Sequence, residues 1–216
     1  MILKGYLLIY FYVFIVAFIS HLSKRFKVKT IINRKLTHVM IAFTWLIMYF
    51  FLGTTYHLVI VSFTLVLGNY ILYKNNLYSL FLSEGTTIGI VYYSVSIFVL
   101  ALITYMVPDF YIAFGIGILS LGLGDGFAPL VAGYLKSRQL VNNKTVIGSI
   151  TVFMMTVVVV VGFNLFLSAD FSILKIIIIG VMASLIELYC SGKYDNLALP
   201  IGLAFIVYLL GVITCI

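Results

Sequence analysis

The fold is decided by a run of residues that carries no charge, VIGSITVFMMTVVVVVGFNLFL at positions 146–167. A helix crosses the apolar core of a bilayer when about 20 consecutive residues are predominantly apolar. This run therefore predicts a transmembrane helix. Further runs of the same kind predict helices at 4–20, 36–52, 56–73, 88–106, 109–134, 171–190 and 197–215.

The composition agrees with this pattern. The mean hydropathy is +1.24, and 64% of the residues are hydrophobic, which lies far outside the range of soluble globular proteins. We expect an all-α polytopic transmembrane bundle of about eight spans, with about seven as the alternative count. No segment between the runs is long enough to bury a core of its own. Residues 1–216 are therefore predicted to form a single integral membrane domain.

The basic residues are distributed unevenly between the two sides of the predicted bundle. Of the 13 Lys and Arg residues, only Lys4 and Lys175 fall on one side when the runs alternate across the membrane. By the positive-inside rule, the side rich in Lys and Arg is cytoplasmic and both termini lie outside. The net charge of +7 then reflects loops that set the topology and contact anionic lipid headgroups, rather than nucleic-acid binding.

Four of the six acidic residues fall on the same side as the basic loops: Glu84, Asp125, Glu187 and Asp195. Charge beside a membrane-spanning segment is costly, so a carboxylate that is kept there is a candidate for function. Glu187 lies within an apolar run, where helix capping does not explain it. Asp195 precedes the last run and suits a helix N-cap as well. For Glu84, a favourable interaction with a helix dipole is the alternative role.

Asp125 lies within a glycine-rich segment of the fifth run, Leu121–Ala128, which is followed by Pro129. Glycine and proline interrupt helices, and irregular backbone at membrane depth survives only where it is buried or lines a cavity. We therefore predict a broken fifth helix that is unwound over this segment, with Pro129 in the first turn of the following half-helix. Gly124 and Gly126 would let Asp125 approach Mg²⁺ without steric hindrance. Close helix packing is the alternative interpretation of these small residues.

One motif that suits phosphate binding is Arg34-Lys35-Leu36-Thr37-His38, at the start of the second run. Residues four apart share a helix face, so Arg34 and His38 can point at the same ligand. Basic groups beside an imidazole form an anion clamp. Topology-setting anchors with an interfacial histidine are the alternative interpretation.

A second such motif runs from Lys144 to Ser149. Lys144 would hold phosphates as a point charge, with the hydroxyls of Thr145 and Ser149 nearby, and Gly148 completes the motif. If Thr145 begins the sixth helix, the amides of the helix N-terminus also favour an anion.

These motifs resemble, in their order, those of the dolichol kinase and phytol kinase family: Arg34-Lys35-x-x-His38, Gly124-Asp125-Gly126-x-Ala128, Lys144-Thr145-x-x-Gly148-Ser149 and Glu187 with Asp195-Asn196. Members of that family are integral membrane enzymes that use CTP to phosphorylate lipid alcohols, and CTP-dependent diacylglycerol kinases are related to them. The resemblance extends from Arg34 to Pro200. It implies CTP as the phosphoryl donor and a long-chain isoprenoid alcohol of the dolichol, phytol or geranylgeraniol type as the acceptor.

We therefore expect a lipid kinase that uses Mg²⁺ and whose active site faces the cytoplasm. Catalysis of this kind consists mostly of positioning and charge neutralisation. Asp125 is the predicted Mg²⁺ ligand, with Glu187 and Asp195 as second metal ligands or a base. The groups expected to neutralise the phosphates are Lys144, Arg34 and Lys35. The remaining predicted nucleotide contacts are His38, Gly124, Gly126, Thr145, Gly148, Ser149 and Asn196, and Glu84 is a further candidate.

Other functions stay open at this point. The segment from Lys144 to Gly148 also resembles phosphatidate cytidylyltransferases, so a lipid cytidylyltransferase that releases pyrophosphate is one alternative, and a diacylglycerol kinase is another. A transporter would instead use a broken helix at 121–128 to bind an anionic substrate. The sequence has no Walker-type motif and no protein-kinase catalytic loop, so the common soluble ATP sites are unsupported. No protein partner is implied.

Overall fold

The computed structural model describes residues 2–80, 88–135, 137–190 and 192–212. Within these residues the chain forms the helices α1 (Ile2–Arg25), α2 (Thr30–Ala42), α3 (Thr44–Phe51), α4 (Tyr56–Lys74), α5 (Gly89–Met106), α6 (Tyr111–Tyr134), α7 (Val146–Leu167), α8 (Ile173–Tyr189) and α9 (Asp195–Val212). The described residues contain no strand, and their isolated β-bridge joins Gln139 to Thr145. The prediction of an all-α fold is confirmed for this part of the chain.

Five of the described helices are long and apolar enough to cross a membrane: α1, α4, α5, α7, and α6 together with the 3₁₀ turn Pro108–Phe110 that precedes it. They indicate a multi-pass membrane protein, as predicted. The apolar part of α9, Asp195–Gly211, is shorter than these five, and α8 has 17 residues. The predicted count of about eight spans is therefore not confirmed.

The predicted second helix, 36–52, is wrong in its start and in its continuity. The structure begins a helix at Thr30 and divides the segment at Phe43 into α2 and α3. There the backbone tightens, because the amide of Phe43 donates to a carbonyl three residues earlier (3.1 Å), which is the pattern of a 3₁₀ turn. Beyond this bend Trp45 is buried in the core, with its ring centroid 5.1 Å from that of Phe163.

The predicted break in the fifth helix is also wrong. Helix α6 runs without interruption through Leu121–Ala128 and contains Pro129 in its interior. The glycines serve close packing instead, since a Cβ atom at Gly126 would lie 2.3 Å from Cγ2 of Val39 on α2. A continuous helix satisfies its own backbone hydrogen bonds, as apolar surroundings require, while the small residues let a neighbouring helix approach.

Helix α6 is the central helix of the bundle. Over the most apolar stretch of α6, 72% of the residues are buried, compared with 17% in α1 and 17% in α4. Helices α2, α7 and α9 pack directly against α6, while α8 packs on α7 and α9, and α4 packs on α5. The core around α6 includes Trp45, Phe114, Ile116 and Leu121. Asp125 therefore belongs to the most enclosed of the long helices.

Contacts between helix termini define two ends of the bundle. At one end, which we call the Lys144 end, the side-chain amide of Asn196 at the start of α9 donates to the carbonyl of Gly89 at the start of α5 (2.9 Å). Lys144, just before α7, contacts the last turn of α8 at the same end. At the opposite end, Tyr6 of α1 bonds His57 of α4 (3.1 Å). The polar termini of several helices thus come together at each end.

Candidate functional site

A buried ion pair joins α2 to α6. Nζ of Lys35 donates a hydrogen bond to Oδ1 of Asp125 (2.5 Å), and Nδ1 of His38 lies 3.7 Å from Oδ2 of the same carboxylate. Lys35 and His38 are three residues apart and therefore share one face of α2. The close approach of α2 to α6 at Gly126 brings this face to Asp125. We call Lys35, His38 and Asp125 the α2–α6 cluster; all three are buried, each with 8% exposure or less.

Tyr93 of α5 covers one side of the α2–α6 cluster. Its ring stacks on the imidazole of His38, with the centroids 5.2 Å apart and an interplanar angle of 16°. The Tyr93 hydroxyl and Nδ1 of His38 are buried, and neither has a hydrogen-bond partner among the described residues. Tyr93 is not among the predicted site residues, because a tyrosine within an apolar run looks the same in the sequence whether it packs or binds.

A second group, which we call the Lys144 cluster, consists of Lys144, Glu187 and Asp195. Nζ of Lys144 donates a hydrogen bond to Oε1 of Glu187, and Oδ2 of Asp195 lies 3.4 Å from the same nitrogen. Lys144 precedes α7, Glu187 lies near the end of α8, and Asp195 is the first residue of α9. Three separate segments therefore meet at one ammonium group, and both carboxylate residues are buried.

The two clusters interact electrostatically. Burial opposes the charge on Lys144, but the carboxylates of Glu187 and Asp195 outweigh this effect and raise the pKa of the ammonium above its ordinary value. The charge of Asp125 contributes to the same increase, so Asp125 lies within electrostatic range of Lys144. Lys144 is therefore protonated at physiological pH. Together the clusters place two lysines among three carboxylates.

The loop before α7 fixes the position of Lys144. Nδ2 of Asn142 donates hydrogen bonds to the carbonyls of Leu188 (3.2 Å) and Tyr189 (3.1 Å) at the end of α8. Asn142 has a left-handed backbone with φ of 55°, a conformation that asparagine adopts more readily than most residues. The loop is thereby held against the helix that carries Glu187. Asparagine in this position suggests a turn from the sequence, but its long-range partners cannot be inferred from it.

Thr145 and Gly148 shape the N-terminus of α7. Oγ1 of Thr145 accepts a hydrogen bond from the amide of Gly148 (3.1 Å), which makes Thr145 the N-cap of the helix. Oγ of Ser149 is buried without a hydrogen-bond partner among the described residues. The expectation that a helix begins at this motif is confirmed. The nucleotide contacts of Thr145, Gly148, Ser149 and Asn196 stay predictions.

Other residues that the sequence indicates lie apart from the two clusters. Gly124 faces α7, where an added Cβ would lie 3.3 Å from Cγ1 of Val152, and Gly126 faces α2. Both glycines therefore serve helix packing in this structure, and their contacts with a nucleotide stay predictions. Arg34 lines a cavity bounded by α1, α2, α4 and α5. Glu84 lies outside the described residues.

The carboxylates provide the donor chemistry that Mg²⁺ prefers. Mg²⁺ is usually bound by one or two carboxylates, with substrate phosphates and water completing its coordination. Asp125, Glu187 and Asp195 supply such oxygens, and Oε2 of Glu187 is buried without a hydrogen-bond partner among the described residues. In the described part of the chain, no group of three or more His, Cys, Asp or Glu side chains is close enough to hold a metal by itself. The donor type thus suits Mg²⁺, while the described residues alone do not form a complete metal site.

Comparisons of the chain with protein-family models, with curated proteins and with solved structures find no match.

Proposed function

We propose that this protein is a membrane lipid kinase that transfers the γ-phosphoryl group of CTP to the hydroxyl of a long-chain isoprenoid alcohol. The observation that supports the proposal most strongly is the convergence of Lys35, Asp125, Lys144, Glu187 and Asp195 in two clusters whose carboxylate residues are buried. These residues come from five separate segments of the sequence. They include the acidic and basic groups that the sequence motifs indicate for phosphate and metal chemistry.

The proposed reaction needs charge neutralisation more than covalent chemistry. Lys35 and Lys144 would bind the phosphates, with Arg34 of the same motif as a further cation. Both lysines are held in place by carboxylates before any substrate binds, and such preorganised charges stabilise a transition state strongly where water is largely excluded. Mg²⁺ would be held by Asp125 with Glu187 or Asp195, and it would neutralise negative charge on the phosphate oxygens.

The proposed site lies at the Lys144 end of the bundle, and we assign this end to the cytoplasmic side. The assignment rests on the loops that carry most of the Lys and Arg residues, including Arg138 in the loop before α7 and Lys74 at the end of α4. Nucleotides are available on that side. The lipid acceptor would enter the site from the surrounding membrane.

Two alternative enzymes use the same site chemistry. A lipid cytidylyltransferase would join the α-phosphate to the lipid and release pyrophosphate, and a diacylglycerol kinase would use another acceptor. The transporter alternative depends on a broken helix at 121–128. Because α6 is continuous there, this alternative loses its structural basis, and we favour an enzyme.

The deciding experiment uses the purified protein in detergent with radiolabelled nucleotides and a panel of alcohols. The lipid should become labelled from γ-labelled CTP, well above the level from γ-labelled ATP at equal concentration, with phytol, geranylgeraniol or dolichol as the acceptor. Label from α-labelled CTP would identify the cytidylyltransferase instead. Labelling of diacylglycerol alone would identify the other kinase.

A matched pair of variants controls for contaminating kinases. Lys144→Met removes the ammonium at the centre of the Lys144 cluster. Lys175→Met removes a lysine from the opposite end of the bundle, where its Nζ donates to the carbonyl of Leu210. Activity should be lost in the first preparation and kept in the second. Equal activity in both would contradict the proposed site.

A further inference from the structure

A cavity of about 350 Å³ lies beside the α2–α6 cluster, between α1 and α2 on one side and α4 and α5 on the other. Its volume falls in the range of about 300–1,000 Å³ that is common for small-molecule sites. Apolar side chains such as Val13, Val16, Leu65 and Ile97 line much of its wall. His38 lines it as well, so the cavity reaches the residue whose Nδ1 faces Asp125.

Several hydroxyls in the cavity wall are already bonded within their own helices. Oγ1 of Thr37 donates to the carbonyl of Asn33 (2.9 Å), and Oγ of Ser94 donates to the carbonyl of Val91 (2.8 Å). Oγ1 of Thr64 does the same to a carbonyl three residues earlier (2.7 Å). Because these donors are used locally, the wall is more apolar in effect than its composition suggests.

Three residues of the wall differ from these, because Thr44, His38 and Tyr93 each have a buried polar atom without a hydrogen-bond partner among the described residues. The Tyr93 hydroxyl and Nδ1 of His38 are buried, have no hydrogen-bond partner among the described residues, and belong to rings that stack on each other. Tyr93 is 3% exposed and His38 is 7% exposed. Buried polar groups are nearly always hydrogen-bonded, so these two suit a ligand that brings a polar atom of its own.

We propose that this cavity binds the hydrocarbon chain of the lipid alcohol and places its hydroxyl at His38 and Tyr93, beside Asp125. A chain that is apolar along its length and has one hydroxyl matches a largely apolar wall in which His38 and Tyr93 have unpartnered polar atoms and His38 lies beside Asp125. The assignment rests on the proposed function, because it names the acceptor subsite of that reaction. It also places the hydrocarbon chain on the α4–α5 side of α2, with the hydroxyl toward Asp125 on the α6 side.

The first test fills the cavity with a side chain. Gly68 of α4 lines the cavity, and an added Cβ there meets no atom within 4 Å. The side chain in Gly68→Leu would therefore begin in open space at the wall of the cavity and is expected to reduce the room for a ligand. Gly162→Leu is the matched control, because Gly162 is also a helical glycine with no atom within 4 Å of an added Cβ, and it does not line the cavity. Both substitutions favour helix formation equally.

The measurement is photolabelling of the purified protein with a farnesol analogue that carries a diazirine on its chain, without nucleotide. The crosslinks should map by mass spectrometry to α1, α4 and α5 around the cavity. Gly68→Leu should reduce this labelling by about tenfold or more, which corresponds to a clear loss of affinity. Gly162→Leu should label like the unmodified protein. Crosslinks spread evenly over the lipid-facing helices, or full labelling of a folded Gly68→Leu protein, would overturn the proposal.

Competition between the probe and unlabelled lipids tests whether the cavity recognises the hydroxyl of the alcohol. Farnesol should displace the probe, whereas farnesene, a hydrocarbon of the same chain, should displace it poorly. Tyr93→Phe, which keeps the ring on His38, should reduce this difference. Equal displacement by farnesol and farnesene, or displacement by dioctanoylglycerol and not by farnesol, would overturn the assignment of a single-chain alcohol.

Photolabelling does not depend on phosphoryl transfer. It therefore tests the alcohol-binding cavity separately from the proposed kinase reaction. Alcohol-selective labelling of the cavity without any kinase activity would refute the proposed reaction and still support this subsite. Kinase activity on isoprenoid alcohols with no labelling of the cavity would refute the subsite and leave the reaction standing.

Discussion

Separating Lys35 from Asp125 tests whether their ion pair is part of an active site or only holds α2 against α6. Asp125→Asn keeps the shape of the side chain but leaves the Lys35 ammonium buried without a carboxylate at 2.5 Å. Removal of one partner from a buried pair typically costs about 3–5 kcal/mol of stability. Lys35→Met leaves the Asp125 carboxylate unpaired and should be destabilising for the same reason. The double variant removes both charges and should regain most of the lost stability.

Activity should respond differently from stability. If Asp125 holds a metal and Lys35 binds phosphate, the double variant should be as inactive as Asp125→Asn, with kcat/KM at least about a hundredfold below the unmodified protein. That factor corresponds to about 2.7 kcal/mol of transition-state stabilisation, and single electrostatic groups in enzymes commonly contribute this much. Stability is measured by unfolding in mixed detergent micelles, and activity by transfer of γ-label from CTP to lipid.

The double variant also supplies the refuting result. If it recovers both stability and activity, the pair is a structural contact and the assignment of Asp125 fails. Asp170→Asn is the control for loss of a carboxylate. Asp170 is exposed, lies between α7 and α8 at the opposite end of the bundle, and has a left-handed backbone that asparagine tolerates. This variant should keep normal stability and activity.

Three further predictions test the packing, the phosphate site and the topology. Gly126→Ala should destabilise the protein in the unfolding assay, because its Cβ would lie 2.3 Å from the side chain of Val39. The control is Gly133→Ala on the same helix, whose added Cβ meets nothing within 4 Å. This variant should be neutral or stabilising by up to about 1 kcal/mol. Lys144→Met should lower kcat by about a hundredfold or more in the CTP assay, and a normal kcat would remove this residue from the site. Single cysteines are placed at Ser137 and at Thr54 in a background without native cysteines. They should react with impermeant reagents from opposite sides of sealed vesicles. Reaction of both from one side would contradict the proposed topology.

Hydropathy alone predicts the helices with good accuracy where one apolar run corresponds to one helix. The run 146–167 coincides with α7, and the run 88–106 differs from α5 by one residue at its start. The bend at Phe43 could not be predicted in this way. No glycine or proline marks it, and just beyond it Trp45 packs against Tyr111 and Phe163, which are distant in the sequence. Tertiary contacts of this kind cannot be predicted from the local sequence.

The failed prediction of a broken helix has a specific physical cause. A glycine in a helix interior costs only about 1 kcal/mol relative to alanine, and in apolar surroundings an unpaired backbone group costs several times more. The glycines around Asp125 therefore stay helical and yield close contacts, such as that of Gly126 with α2. A glycine-rich segment can indicate either a broken helix or close helix packing. The sequence does not show whether a neighbouring helix is close enough to favour packing.

The site could be predicted in part, because charge is rare enough in this chain for each carboxylate to stand out. The sequence indicates that Asp125, Glu187, Lys144 and Lys35 fall on one side of the bundle. It does not indicate that Lys35 pairs with Asp125 while Lys144 pairs with Glu187, since these pairings depend on which helices are adjacent. The place of Tyr93 beside His38 could not be predicted, because it follows only from how α5 packs against α2.

The two buried clusters also bear on why a bundle of this kind would contain ion pairs. Replacement of a buried ion pair by apolar side chains of similar volume is often neutral or even stabilising, by about 1–4 kcal/mol. At the positions of these charged residues, the helices could therefore pack through apolar side chains without loss of stability. This chain instead places Lys35, Asp125, Lys144, Glu187 and Asp195 there, with every carboxylate residue buried. Because stability alone does not require these charges, they agree with the proposed binding of a phosphate together with a divalent cation, a ligand that needs both ammonium groups and carboxylates.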